Sequence, residues 1–197
     1  AAEHVDGLER TMHAAATPAA DIAMLEQTEK DIAKFGSHHM SRSGVSEYLG
    51  TDRWRPLRRF VIHQTHNDKW RAIDDGHPSG HNDGCTTTAK VHTAEPSFVA
   101  AIARRFCRYR ARLYEAARLA CVPLALTGGC DDEQSAYRWK PVTLEDLVFS
   151  VVAFWHHVLA CIRFIVLFSH AFGLSAAVSN YNRQPELLVA ASRCLVF

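Results

Sequence analysis

Two adjacent aspartates, Asp131 and Asp132, follow the apolar run VPLALT and the pair Gly128 and Gly129. A carboxylate at the end of a strand can leave the core and meet a divalent cation. Two-metal phosphoryl transfer needs such groups to hold Mg²⁺ ions roughly 3.5–4 Å apart beside phosphate oxygens. Taken alone, an Asp-Asp pair is also an ordinary solvated turn. A second constellation, Asp74, Asp75, His77, His81, Asp83 and Cys85, crowds one Gly-containing loop. Imidazole, carboxylate and thiolate together can hold a transition metal. The His spacing matches no zinc motif, however, and a polar loop of turn-forming residues accounts for the same composition. The cations form two sets. Lys69 and Arg71 sit in KWRAID, and Arg104, Arg108 and Arg112 recur every four residues. Both arrangements suit phosphate contact, and each is equally an ordinary solvated edge or face. The pairs His38-His39 and His156-His157 carry the least chemistry.

Several elements must position these residues. Ile22, Leu25, Ile32 and Phe35 share one helical face between Pro18 and Gly36, which predicts a helix over about Asp21 to Phe35. The polar stretch GSHHMSRSGVSEYLG from Gly36 to Gly50 reads as a loop. RRFVIHQ and KWRAID, flanking a His-Asn-Asp turn, predict a basic hairpin. A helix is expected from Pro96 to about Leu119. In it Phe98, Ile102, Phe106, Tyr109 and Leu113 form an apolar stripe, with the three arginines nearly opposite. VPLALT reads as a strand ending at the aspartates. SVVAFW and IRFIVLF predict a second hairpin, SHAFG a tight turn, and the segment from Ser175 a helix interrupted by Pro185. Strands alternating with helices indicate an α/β (α+β) chain with a mixed or antiparallel sheet packed against helices.

Composition sets outer bounds. With 48% hydrophobic residues among 197, the chain can build a core, and disorder is excluded as its main character. The formal net charge is only +1, but Arg53 to Arg112 holds 12 Lys+Arg against 5 Asp+Glu, so one middle segment is basic. Six cysteines without a CxxC pair indicate neither a zinc module nor a disulfide framework, and they read as thiols of an intracellular, non-secreted protein. The apolar stretch from Leu147 to Phe168 has the length of a membrane span, but it contains His156, His157 and Arg163. An Arg near the centre of a spanning helix costs about 2.5–3.5 kcal/mol, so two strands are expected there and no membrane partner. The opening AAEHVDGLER, without Met, and the apolar close SRCLVF both read as cut ends.

Context for the aspartates comes from DDEQSAYRW, in which Ala136 and Tyr137 follow Asp132 by four and five residues. This pattern resembles the first catalytic motif of reverse transcriptases. KWRAIDDG resembles their fingers motif, HAFGLSAAVSNYNRQPE resembles the Phe-Gly turn and helix of the next palm motif, and the order is the same. The wording is especially similar to reverse-transcriptase-like retroelement sequences of dinoflagellates, and the resemblance covers roughly Arg53 to the end.

The chain is read as an N-terminal helical segment and loop over 1–50, followed by what the resemblance implies, partial fingers and palm: a fingers-like basic hairpin and Arg-rich helix over 51–121, and part of the palm over 122–197. The resemblance implies Mg²⁺ (or Mn²⁺) held by Asp132, with Asp131 as second choice, and a triphosphate held by Lys69 and Arg71. Tyr137 would act as the gate against a ribose 2′-hydroxyl, with Phe172 and Gly173 lining the nucleotide pocket. Deoxynucleoside triphosphates and an RNA or DNA template-primer would be the partners, the latter contacted by Arg104, Arg108 and Arg112. The family's second aspartate motif is expected after the last helix, and it does not occur before Phe197. A non-catalytic nucleic-acid-binding or interaction module is the alternative expectation.

Overall fold

A computed structural model describes residues 2–85, 96–120 and 136–181, together with 183 and 187. Its centre is a four-stranded mixed sheet of order β2-β1-β3-β4, formed by β1 (Pro56–Gln64), β2 (Lys69–Asp75), β3 (Val151–His156) and β4 (Cys161–Val166). Both expected hairpins are present, each antiparallel, and they join through a short parallel pairing of Pro56–Arg58 with Val151–Ala153. The α/β class holds.

The apolar runs of β3 and β4 lack strict alternation because both of their faces are covered. Val151, Ala153, Phe164 and Val166 pack against Val5 and Leu8 of α1 (Ala2–Thr11), Val45 of α3 (Arg42–Leu49), and Met40 and Trp54. Val152, Phe154, Ile165 and Leu167 face the other way, onto Met24 of α2 (Pro18–Phe35) and onto Leu57 and Ala171. The outer edge of β4 is closed by the segment after α2, where Ser37 N–H donates to the Val166 carbonyl and Met40 exchanges backbone bonds with Phe164. That closure removes a row of unpaired peptide groups that would otherwise invite aggregation.

One expectation needs correction. The stretch from Gly36 to Gly50 is not simply a loop, because it contains α3. The Ser and Gly that suggested a loop are its caps: Ser41 Oγ accepts from Gly44 N–H, and Gly50, at φ +66, ends the helix in the left-handed region that glycine tolerates. α1 carried no signal beyond Val5 and Leu8, and those two side chains are buried by the sheet rather than by any strong local preference. Side chains from the segment 1–50 thus contribute to the core on both faces of the β3–β4 hairpin.

α4 (Pro96–Leu119) has the expected bounds and forms a compact unit of its own, while the other elements form a second. Tyr109, placed by its spacing on an apolar stripe, is exposed. Among the described residues no helix is long and apolar enough to cross a membrane, and 151–166 is a hairpin.

Candidate functional site

Where β2 ends, four charged side chains meet away from water. Arg59 on β1 and Asp74 on β2 are cross-strand partners on the face turned toward α2, and both side chains are fully buried. Arg59 Nε donates to Asp74 Oδ1 at 2.7 Å and Nη2 to Oδ2 at 3.2 Å, a two-pronged contact that suits the planar guanidinium. Its other bonds reach α2: Nη2 to Asp31 Oδ2 at 2.7 Å and Nη1 to the Thr28 hydroxyl at 3.1 Å. Arg138, in the 3-10 turn Ala136–Trp139, brings the second guanidinium, and its Nη2 donates to Asp74 Oδ2 at 2.7 Å and to Asp31 Oδ2 at 3.0 Å. Two arginines against two aspartates leave no net charge. Burial by itself would raise the Asp74 carboxyl, but Arg59 and Arg138 hold it below the usual carboxylate range, and the same contacts raise Arg59.

The network fixes the turn that follows β4. Arg138 Nη1 donates to the His170 carbonyl at 3.3 Å, and its guanidinium carbon lies 5.3 Å from the centre of the Phe172 ring. Phe172 and Tyr181 both meet the Tyr137 ring edge-on at 5.3 Å. Asp74 N–H donates to the Phe172 carbonyl, so the turn is laid along the free side of β2. At Gly173, φ is +98 and a Cβ would stand 2.3 Å from the Asp74 carbonyl oxygen, so only glycine lets the two backbones approach. Asn82 ties the loop after β2 to the same place, donating from Nδ2 to the Gly173 carbonyl and accepting from Ser175 N–H.

Tyr137, Phe172 and Gly173 therefore meet at one end of β2. Lys69 and Arg71 lie toward its other end, at the tip of the hairpin, both exposed, with Arg71 Nε donating to Gln64 Oε1 at 2.6 Å. Side chains alternate along a strand, which sets Lys69 and Arg71 on the face opposite Asp74. Arg104, Arg108 and Arg112 are exposed on α4, the first two beside Arg105 and Tyr109 around a shallow depression. Asp131 and Asp132 lie outside the described residues. Asp74, one of the alternative metal-loop residues, is committed to the ion network, and the described residues contain no group of three or more ligands able to hold a metal.

Sequence reasoning missed the network itself. One trace of it was legible: Arg59 interrupts an inward-facing series with Leu57 and Val61, and the hairpin register sets Asp74 opposite. Asp31 and Arg138 reach the same spot only through the tertiary fold. The fold and site together define an α/β domain with helices on both faces of a mixed sheet and a buried ionic clasp at one edge. No protein-family model matches the chain, and no curated protein matches it.

Proposed function

We propose that the chain is the fingers and part of the palm of a reverse-transcriptase-like polymerase. In the complete enzyme, Mg²⁺ bound by Asp132 and further aspartates would activate a primer 3′-hydroxyl for attack on the α-phosphate of a deoxynucleotide. The observation that carries this reading is the meeting of its three motif segments: the Tyr137 ring against Phe172, and Gly173 against the carbonyl of Asp74 in KWRAIDDG. At the hairpin tip Lys69 and Arg71 supply charge that suits phosphate, and at the other end of β2 an aromatic wall beside a glycine suits a sugar and base.

Calorimetric titration with deoxynucleoside triphosphate and Mg²⁺ tests it. Binding is expected, weakened about tenfold or more by Lys69→Ala with Arg71→Ala. Ribonucleotides should bind more weakly, and Tyr137→Ala should narrow the gap. Absence of nucleotide binding, or binding indifferent to all three residues, would sink the reading. Primer extension by these 197 residues is expected to stay at background, as in an Asp132→Asn control, because the carboxylates that fix the second ion are not all present.

The exposed arginine row of α4 favours a second reading, a nucleic-acid-binding module without catalysis. It requires template-primer binding that weakens steeply with salt and whose slope flattens when Arg104, Arg108 and Arg112 become Ala, with no nucleotide binding at all.

A further inference from the structure

Behind the Phe172-Gly173 turn lies a cavity of about 420 Å³, within the range of small-molecule sites. Its walls come from the loop after β2, the irregular segment and 3-10 turn ahead of β3, and the helical turns over 175–181. These walls are fastened to one another before any ligand arrives. Asn82 bridges the first to Gly173 and Ser175, while Pro141 and Val142 pair with Ser169 and Phe168 along the second. Most of the lining is apolar, with Phe149 and Leu174 prominent, which suits a carbon framework.

Arg55 sets the polarity. Its backbone N–H is bonded to the Val148 carbonyl, and its guanidinium lies over Gly80, Nη2 standing 3.5 Å from where a Cβ would be. Gly80 sits at φ +68, so this seat suits a residue without a side chain. Arg55 Nε is buried with no hydrogen-bond partner among the described residues, and no carboxylate pairs with the guanidinium there. A buried, unpaired donor on a charged group is costly, and an anionic oxygen would satisfy it. Asp83 lies nearest, its Oδ2 3.9 Å from the same Cβ position on Gly80, without an ion pair to Arg55 among the described residues. His81 is anchored through Nδ1 to the Ser79 hydroxyl, and His170 through Nε2 to Asn180. Burial lowers both imidazoles, which keeps them neutral at pH 7. Asp146 stands at the exposed mouth and accepts from the Thr143 hydroxyl at 2.9 Å.

We propose that this cavity is a binding site for a small organic anion, its carboxylate or phosphate head on Arg55 and its apolar body along Phe149 and Leu174. The site is separate from Tyr137 and from Lys69, so it stands whether or not the chain is a polymerase fragment.

Four probes that share a phenyl ring separate head from body: benzoate, phenyl phosphate, benzyl alcohol and benzylamine, each titrated by calorimetry into the whole chain. One or both anions should bind at one site per chain, about tenfold or more tighter than the alcohol and the amine. Whichever anion binds better identifies the head as carboxylate or phosphate. Arg55→Met should erase the preference for anions. Ala176→Phe, which fills the cavity from the helical wall and leaves Arg55 in place, should abolish binding of all four, and it serves as the test if Arg55→Met does not fold. Equal binding of all four probes overturns the proposal. So does no binding at up to about 10 mM, where a millimolar Kd would register, or anion binding that survives Ala176→Phe.

Discussion

The two hairpins of this sheet come from similar sequence signals and end in opposite circumstances. β3–β4 is covered on both faces, and Val151 through Phe154 and Phe164 through Val166 have almost no exposed surface. β1–β2 pairs with that hairpin only through Pro56–Arg58, and Leu57, Phe60 and Val61 of β1 pack against one face of its core. Beyond Arg59 it continues as a two-stranded ribbon, with Ile62, His63, Lys69 and Arg71 exposed. The ribbon's base is held by the apolar contacts of Leu57, Phe60 and Val61 together with the clasp of Arg59, Asp74, Asp31 and Arg138. Thus β3–β4 is held by area removed from water, which is non-directional. The ribbon is held in addition by charges whose geometry must be right, and this positions the Tyr137–Phe172 turn.

Removing one member of the clasp should have the largest effect. Asp74→Ala leaves two buried guanidiniums short of a carboxylate, and stability should fall by about 3–5 kcal/mol. In a chain of this size that lowers Tm by roughly 6–20 °C. Pairing it with Arg59→Met should cost less than the two single changes added together, and a double-mutant cycle by thermal denaturation measures that coupling. Additive losses would mean that the clasp is not an energetic unit.

Next in size is the contrast between hairpins. Ile165→Ala removes a fully buried side chain and should cost about 2–5 kcal/mol. Ile62→Ala, on the exposed ribbon, should cost about 0.5 kcal/mol or less. Similar losses at the two positions, measured by urea unfolding, would erase the distinction.

Acid should separate the hairpins by region. His39 packs edge-on against Phe154 and His156 at 5.3 Å, and both imidazoles are lowered from 6.5 chiefly by burial, His39 further by the charges of His156, Arg163 and His38 and His156 by those of His157 and Arg163, with Glu29 opposing in part. The unfolded chain therefore takes up these protons more readily than the folded one. Their contribution is complete above pH 6.5 and is lost as pH falls below it. Asp74 is lowered from 3.8, so its contribution persists down to that value and is lost only below it. Between about pH 7.5 and 5, hydrogen-exchange protection factors, corrected for the slower intrinsic exchange in acid, should fall first at Ser37, Met40 and β4, with those around Arg59 and Asp74 unchanged.

The smallest expected effect lies in the β3–β4 turn. Ala160 adopts φ +47, a left-handed conformation that costs an L-residue about 1–2 kcal/mol. Ala160→Gly relieves that strain but loosens the unfolded chain, for a net gain of up to about 1 kcal/mol. The corresponding turn of the ribbon already uses Asp68 at φ +51, a residue type that tolerates the region, so Asp68→Gly should gain less.

Much of this architecture was legible residue by residue. Both hairpins, α2 and the bounds of α4 follow from periodicity and from Pro and Gly punctuation, because those signals act within a few residues. α3 was hidden because Ser41 and Gly50 serve equally as caps and as loop residues, and what decides between them is the burial of Val45. α1 was hidden for a similar reason: its two apolar side chains become a signal only once β3 and β4 are there to cover them. For the candidate site, KWRAID, AYRW and HAFG could be picked out by residue type and order. Their meeting could not.

The sequence by itself determined the α/β class, the basic hairpin, the exposed arginine row and the types of the motif residues. Tertiary structure alone decided that Arg59, which in sequence looks like one more surface cation of a basic segment, is a fully buried member of a neutral clasp. It also decided that Arg55 lines a cavity while Arg71 stands in solvent. The reason is physical. Local patterning reports which side of a strand or helix a residue occupies, whereas the fate of a charge depends on which distant residues close over it, and Asp31, Asp74 and Arg138 reach Arg59 only through the folded chain.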